Sequence, residues 1–269
     1  GFESFSIISF SLIIAGLMAV LDAGLTATLS REFSKSDNSK TEKFAIFKTL
    51  ESTYQIIVLL TILIVVFSSD YIASNGINLK TFAVDDVAYF IKIIAFDIGF
   101  QLLLRFYLGG FLGLEKQVKA NAFQVFWGFC RNALVVVAIS YTPTLEMFFL
   151  WQTISTMLFT ILFRVCLYKE MIGKYVFDLA FRIEKVVFDK IWRFAGGMLT
   201  ISLIAALNTQ LDKLAISKFL PSESLGYYTL AVSLATAILV IVSPISIALL
   251  PRFTSLYSDK KKEEACKLF

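Results

Sequence analysis

The sequence predicts an all-α fold, a polytopic membrane helix bundle, on three observations. Apolar residues make up 57% of the chain, 27 of its residues are Phe and only 17% are charged, whereas a water-soluble domain carries about 25% charged residues. Seven segments are apolar over about 20 residues, the length that crosses a bilayer as a helix rising 1.5 Å per residue. None of the seven shows the period-two alternation of a barrel strand, and each is too long to be one.

The seven segments are Phe5 to Leu29, Leu50 to Phe67, Val87 to Leu108, Ala122 to Ser140, Met147 to Leu167, Phe194 to Ile216 and Leu225 to Leu250. Alternate loops between them concentrate the basic residues. Eighteen, from Arg31 and Lys35 through Lys116, Lys119 and Arg182 to Lys262 and Lys267, fall on one side, against Lys80 and Lys218 on the other. That asymmetry places the first set in the cytoplasm. It also accounts for the net charge of +4 as a topology signal, so no nucleic-acid partner is expected. Cys130, Cys166 and Cys266 have no metal or disulfide spacing. Histidine is absent, which removes a histidine base, a histidine-bound metal and the usual proton shuttle. No cofactor is expected. Gly1 is preceded by no initiator Met, and residues 260–269 read as the approach to a further apolar run, so the chain is taken as a fragment.

Phe5 to Leu29 carries Asp22 in its inner third. A carboxylate there is costly against lipid, so it faces protein or water, either as a gate or proton site or as the partner of a neighbouring helix. Ser30 to Lys48 reads as a solvated basic connection, and Leu50 to Phe67 as a packing helix. Val87 to Leu108 is the most informative span. Asp97, Gln101 and Arg105 recur every four residues and so share a helix face that must line a cavity or a polar seam. Lys92 lies nearer the outer end, where it either snorkels to the headgroups or faces the cavity. Gly109 and Gly113 form a small-xxx-small pair suited to close helix packing.

In Ala122 to Ser140, Arg131 falls near mid-membrane. Counted inward from the outer ends, Asp97 and Arg131 reach similar depths of about 15 Å and about 13 Å, so they are placed to pair. Arg164, near a cytoplasmic end, is read as snorkelling. From Tyr168 to Arg193, Val176, Ala180, Ile183, Val187, Ile191 and Phe194 form one stripe and Asp178, Arg182, Lys185, Asp189 and Arg193 the other, the pattern of an amphipathic helix on the inner leaflet. Phe194 to Ile216 carries Asn208 and Asp212 one turn apart, with Lys213 beside them near the outer end.

A weak internal repeat runs through the chain. At an offset of roughly 220 residues Glu3-Ser4 falls on Glu223-Ser224 and Phe33 on Phe253, and Leu29-x-Arg31 falls on Leu250-x-Arg252 with a slip of one. Leu211-Asp212-Lys213-Leu214-Ala215-Ile216-Ser217-Lys218-Phe219-Leu220, followed by Ser224-Leu225-Gly226-Tyr227-Tyr228, resembles the opening of the second half of the polysaccharide (O-antigen) flippases of the multidrug/oligosaccharidyl-lipid/polysaccharide exporter superfamily. Leu21-Asp22-Ala23-Gly24-Leu25 with Leu29-Ser30-Arg31-Glu32 resembles the end of their second helix.

That resemblance implies two pseudo-symmetric lobes of about twelve to fourteen helices in all, rocking around a central cavity. Residues 1–167 would be the remainder of the first lobe, 168–193 a cytoplasmic connector and 194–269 the start of the second lobe. It further implies transport, across the inner (cytoplasmic) membrane, of an oligosaccharide linked to undecaprenyl pyrophosphate, without enzymatic chemistry. The implied partners are that lipid-linked oligosaccharide, membrane lipid, the polysaccharide polymerase and the glycosyltransferases. Cavity cations would meet the pyrophosphate: Arg105, Arg131, Lys213 and Lys92. Asp22, Asp97 and Asp212 would balance charge or take up protons. A cation-coupled multidrug antiporter of the same superfamily is the rival reading. A membrane glycan polymerase or ligase is another, but it needs large extramembrane loops, and the largest outer one here is Ser68 to Asp86. No GxxxxGK[ST] phosphate loop occurs, so the chain is not an ATPase.

Overall fold

The computed structural model describes residues 2–18, 22–34, 39–76, 82–174, 181–221 and 223–237. Among them it is helical and without strands: α1 Phe2–Met18, α2 Ala23–Ser34, α3 Lys40–Phe67, α4 Ser69–Asn75, α5 Val84–Gly113, α6 Gln117–Asn132, α7 Leu134–Tyr141, α8 Leu145–Ile172 and α9 Lys185–Phe219. Residues 223–237 are also helical. Among the described residues five stretches are long and apolar enough to cross a membrane: Thr41–Phe67, Val84–Gly113, Gln117–Tyr141, Leu145–Ile172 and Phe194–Phe219. The all-α membrane bundle is therefore the observed fold.

The central element is α5, which packs against α1, α2, α3, α4, α6 and α8. Its buried face runs from Val87 through Ile94, Ile98 and Leu102 to Phe106 and Phe111. Glycine lets α2 approach it closely. A Cβ added at Gly109 would lie 2.4 Å from Thr26 Cγ2, and one at Gly113 would lie 2.6 Å from the Ser30 carbonyl oxygen, as the small-residue spacing predicted. Aromatic rings fill the inner half of the bundle, with Phe106 stacked between Tyr54 at 4.8 Å and Phe47 at 6.0 Å.

Local chemistry starts and stops the helices. Ser39 caps α3, accepting from the Glu42 N–H while the Glu42 carboxylate accepts from the Ser39 N–H, both at 3.2 Å. This start lies well before Leu50, so the expected solvated connection is largely helix, and Phe47 and Lys48 within it are buried. Thr144 caps α8 through the Met147 N–H, and Gly173 ends it at φ 78°, a left-handed position that suits glycine.

Two expected spans are each divided between two helices. In the first, α1 ends at Met18 and α2 begins at Ala23, with residues 19–21 outside those described. Asp22 heads α2, where its backbone oxygen accepts from the N–H groups of Leu25 at 3.1 Å and Thr26 at 3.2 Å. In the fourth, α6 gives way to α7 at Ala133. There the carbonyls of Cys130 and Arg131 accept from the side chains of Trp151 (3.1 Å) and Gln152 (3.4 Å) on α8. The amphipathic connector is not one helix either. Residues 175–180 lie outside those described, 181–184 are not helical, and Lys185 onward belongs to α9. The 181–184 segment instead donates backbone N–H groups to α3, Arg182 to Ser52 Oγ at 3.0 Å and Glu184 to Thr49 Oγ1 at 3.2 Å. From there α9 runs along α1, α2 and α3. The second members of the repeat at Leu250, Arg252 and Phe253, and the tail from Lys260, lie outside the described residues.

Candidate functional site

Asp97 and Arg131 meet inside the bundle. α5 presents Asp97, α6 presents Arg131 just before its break, and α8 supplies Gln152 and Thr156. Arg131 donates from Nη1 to Asp97 Oδ1 at 2.7 Å and from Nη2 to Oδ2 at 2.8 Å, the two-pronged match of guanidinium and carboxylate. Gln101 Nε2 donates to Oδ2 at 2.8 Å and Thr156 Oγ1 to Oδ1 at 2.8 Å. Arg131 also bonds Thr156 and the Gln152 carbonyl, and lies 5.5 Å from the centre of the Trp127 ring. Both charges are thus held by several partners, which is what burial of an ion pair requires.

A cavity of about 330 Å³ opens against this pair, lined by Asp97, Gln101, Arg131 and Gln152 and walled by α1 residues such as Ser11 and Ala15. The polar face read every four residues along α5 therefore does line a hollow at its first two positions. Arg105, one turn further in, is exposed. The other candidates are placed elsewhere. Asp22 is buried and accepts from the Tyr54 hydroxyl at 2.6 Å and from Thr26. Lys92 stands 3.9 Å from Asp70 of α4, both well exposed. Asp212 accepts from Tyr228, and Lys213 is its half-buried neighbour on α9. Among the four candidate cations only Arg131 lines the cavity.

A second polar cluster escaped the sequence reading. Arg164 does not snorkel. It is buried, 6% exposed, with Nε donating to Glu51 Oε1 at 2.8 Å. Glu51 also accepts from the hydroxyls of Tyr107 at 3.0 Å and Tyr168 at 2.8 Å, with Lys48 Nζ 3.5 Å away. Taking Leu50 to Phe67 as a packing helix overlooked Glu51 at its start. The signal was present in the spacing: Lys48 and Glu51 are three apart and Arg164 and Tyr168 four apart, so each pair shares a helix face. Four aromatic and charged partners surround one carboxylate, so this cluster ties α3, α5 and α8 together at their inner ends. Among the described residues no group of three Cys, Asp or Glu side chains could hold a metal ion.

A family model described as polysaccharide biosynthesis protein matches residues 1–257. Comparison with curated proteins and with solved structures returned no match.

Proposed function

The chain belongs to the polysaccharide biosynthesis protein family, and on that premise we propose that it moves an oligosaccharide linked to undecaprenyl pyrophosphate from the inner to the outer leaflet of the cytoplasmic membrane. The cargo would supply a surface polysaccharide such as O-antigen or capsule, and the route would be alternating access. The observation that carries this is the Asp97–Arg131 pair lining a hollow inside an apolar bundle. A buried guanidinium costs several kcal/mol without compensation. Here a carboxylate offsets it while one side stays open to a polar guest. Protonation of Asp97 would release Arg131 toward an anionic pyrophosphate, so the pair links proton uptake to substrate binding in this reading. Arg105, exposed on the same α5 face, is the next cation along that path.

Arg131→Ala and Arg131→Lys, expressed in a strain lacking its own flippase, test it. Arg131→Ala should abolish surface glycan and Arg131→Lys reduce it; normal glycan in both removes Arg131 from the mechanism. One observation favours the antiporter reading: Asp97 cancels the Arg131 charge, so the cavity is not net cationic. Raised resistance to cationic dyes on expression, without restored glycan, would select that reading.

A further inference from the structure

The helical period divides α6, Gln117–Asn132, into three faces. Ala120, Phe123, Trp127 and Cys130 turn to the core: Ala120 is fully buried, and the Phe123 ring packs 5.1 Å from that of Phe163. Val118, Val125 and Phe129 make a second face, apolar and exposed, as suits contact with acyl chains. Between them runs a third face of Gln117, Asn121, Gln124, Gly128 and Asn132, spaced three or four residues apart, with Arg131 on its border. All four amide side chains are exposed, and a Cβ added at Gly128 would meet nothing within 4 Å.

This third face does not suit lipid. An amide held against hydrocarbon without a partner is costly, and α6 carries four on one side of a stretch apolar enough to span the membrane. Among the described residues the side chains of Gln117, Asn121 and Gln124 bond no other group, and Asn132 donates only to the Gly128 carbonyl of its own helix, at 3.0 Å. What covers the face is therefore polar. Its course narrows the choice, because Asn132 lines the hollow of about 330 Å³ beside Asp97 and Arg131. From there the amides continue for about 22 Å, at the helical rise, to the end of α6 that the basic loop at Lys116 and Lys119 assigns to the cytoplasm. The chemistry narrows it further. An ion calls for opposite charge and an acyl chain for none of these groups, whereas each amide is neutral and both donates and accepts. Placed about 4.5–6 Å apart along the helix axis, Gln117, Asn121 and Gln124 match a guest that repeats donors and acceptors along its length, as a chain of sugar hydroxyl and acetamido groups does.

We infer that the amide face of α6 is the surface along which the glycan portion of the cargo binds on its way from the cytoplasmic side, with Asn121 and Gln124 as its central contacts. This inference rests on the transport reading and deepens it: the sugars take an uncharged surface of their own, separate from the Arg131 guanidinium proposed for the pyrophosphate. A second copy of the chain is the other polar surface that could lie on this face, and the test separates the two.

Single cysteines in the full chain test it, at Asn121→Cys, Gln124→Cys and, on the lipid-facing side, Val125→Cys, with Cys130, Cys166 and Cys266 changed to Ala. Inside-out membrane vesicles are treated with a charged thiol reagent that does not enter lipid. Asn121→Cys and Gln124→Cys should react and Val125→Cys should not. The oligosaccharide released by mild acid from the host's own lipid-linked pool should slow the reaction at both positions, and sodium pyrophosphate should leave it unchanged. Equal reaction at all three positions overturns the inference, as does reaction that the oligosaccharide does not slow, or that pyrophosphate slows as much. A disulfide joining two copies through Asn121→Cys overturns it in favour of a second chain. In a strain lacking its own flippase, Asn121→Leu combined with Gln124→Leu should lower surface glycan about tenfold, the loss of two hydrogen bonds to the guest, while Val125→Leu leaves it unchanged. Normal glycan from the double variant also overturns the inference, and the cysteine reactions decide alone if that variant does not reach the membrane. The transport reading fails on a different result, namely that cells lacking the chain do not accumulate lipid-linked oligosaccharide on the inner leaflet.

Discussion

Arg131 on α6 and Asp97 on α5 are joined by two parallel hydrogen bonds of 2.7 and 2.8 Å, and the side chains are 14% and 10% exposed. The pair ties α5 to α6 at the point where α6 breaks into α7, so one interaction both spends the polar face of α5 and holds a helix interruption in place.

Removing one member of that pair leaves the other charge buried. Arg131→Met or Asp97→Asn should each destabilise the protein by about 3–5 kcal/mol, and the double variant should recover much of the loss because no uncompensated charge remains. Thermal unfolding in detergent of the two single variants and the double variant measures the coupling. Additive losses would show that the two side chains act independently.

Glu51 is more enclosed still, with Arg164, Tyr107, Tyr168 and Lys48 around it. Glu51→Ala removes the carboxylate set between two buried cations, Lys48 and Arg164, and should cost about 3–5 kcal/mol. Tyr107→Phe removes one hydrogen bond to a charged acceptor and should cost about 1.5–3 kcal/mol. Comparing folded yield and melting temperature of the two variants checks the order; equal loss in both would contradict it.

Gly113 and Gly128 make an internal control for the small-residue contact. At Gly113 a Cβ would lie 2.6 Å from the backbone oxygen of Ser30, which has no rotamer to escape into, whereas at Gly128 nothing lies within 4 Å. Gly113→Ala should therefore destabilise by about 1–3 kcal/mol through overpacking. Gly128→Ala, in the interior of α6, should stabilise by about 0.4–1 kcal/mol by restricting the unfolded chain. Melting temperatures that move in opposite directions are the expected result.

Asp22 takes the Tyr54 hydroxyl at 2.6 Å just before α2 begins. Tyr54→Phe should weaken the anchor between α2 and α3 by about 1.5–3 kcal/mol while leaving the stacking on Phe106 intact. Amide hydrogen exchange that quickens at the start of α2, with α8 unchanged, would register it.

How much of this was legible in the sequence differs from residue to residue. The every-four recurrence of Asp97, Gln101 and Arg105 and the matching depth of Arg131 were enough to anticipate the pair, since helical rise and period are insensitive to context. The glycine contact was legible for the same reason. Arg164 was misread because its distance from the helix end permits either snorkelling or burial, and only Glu51 arriving from α3 selects burial. The break at Ala133 was invisible because the side chains that compete for the backbone there come from α8, Trp151 and Gln152.

By itself the sequence determined that this chain lies in a membrane as helices, that its charges fall on particular faces, and which end of each span carries the basic residues, because hydropathy, helical period and charge count are local sums along one strand of chain. Only the tertiary structure decided which charges meet, where the helices break and where a hollow remains. Those outcomes depend on atoms from three or four helices converging within hydrogen-bond distance, and no single helix encodes that distance in its own spacing.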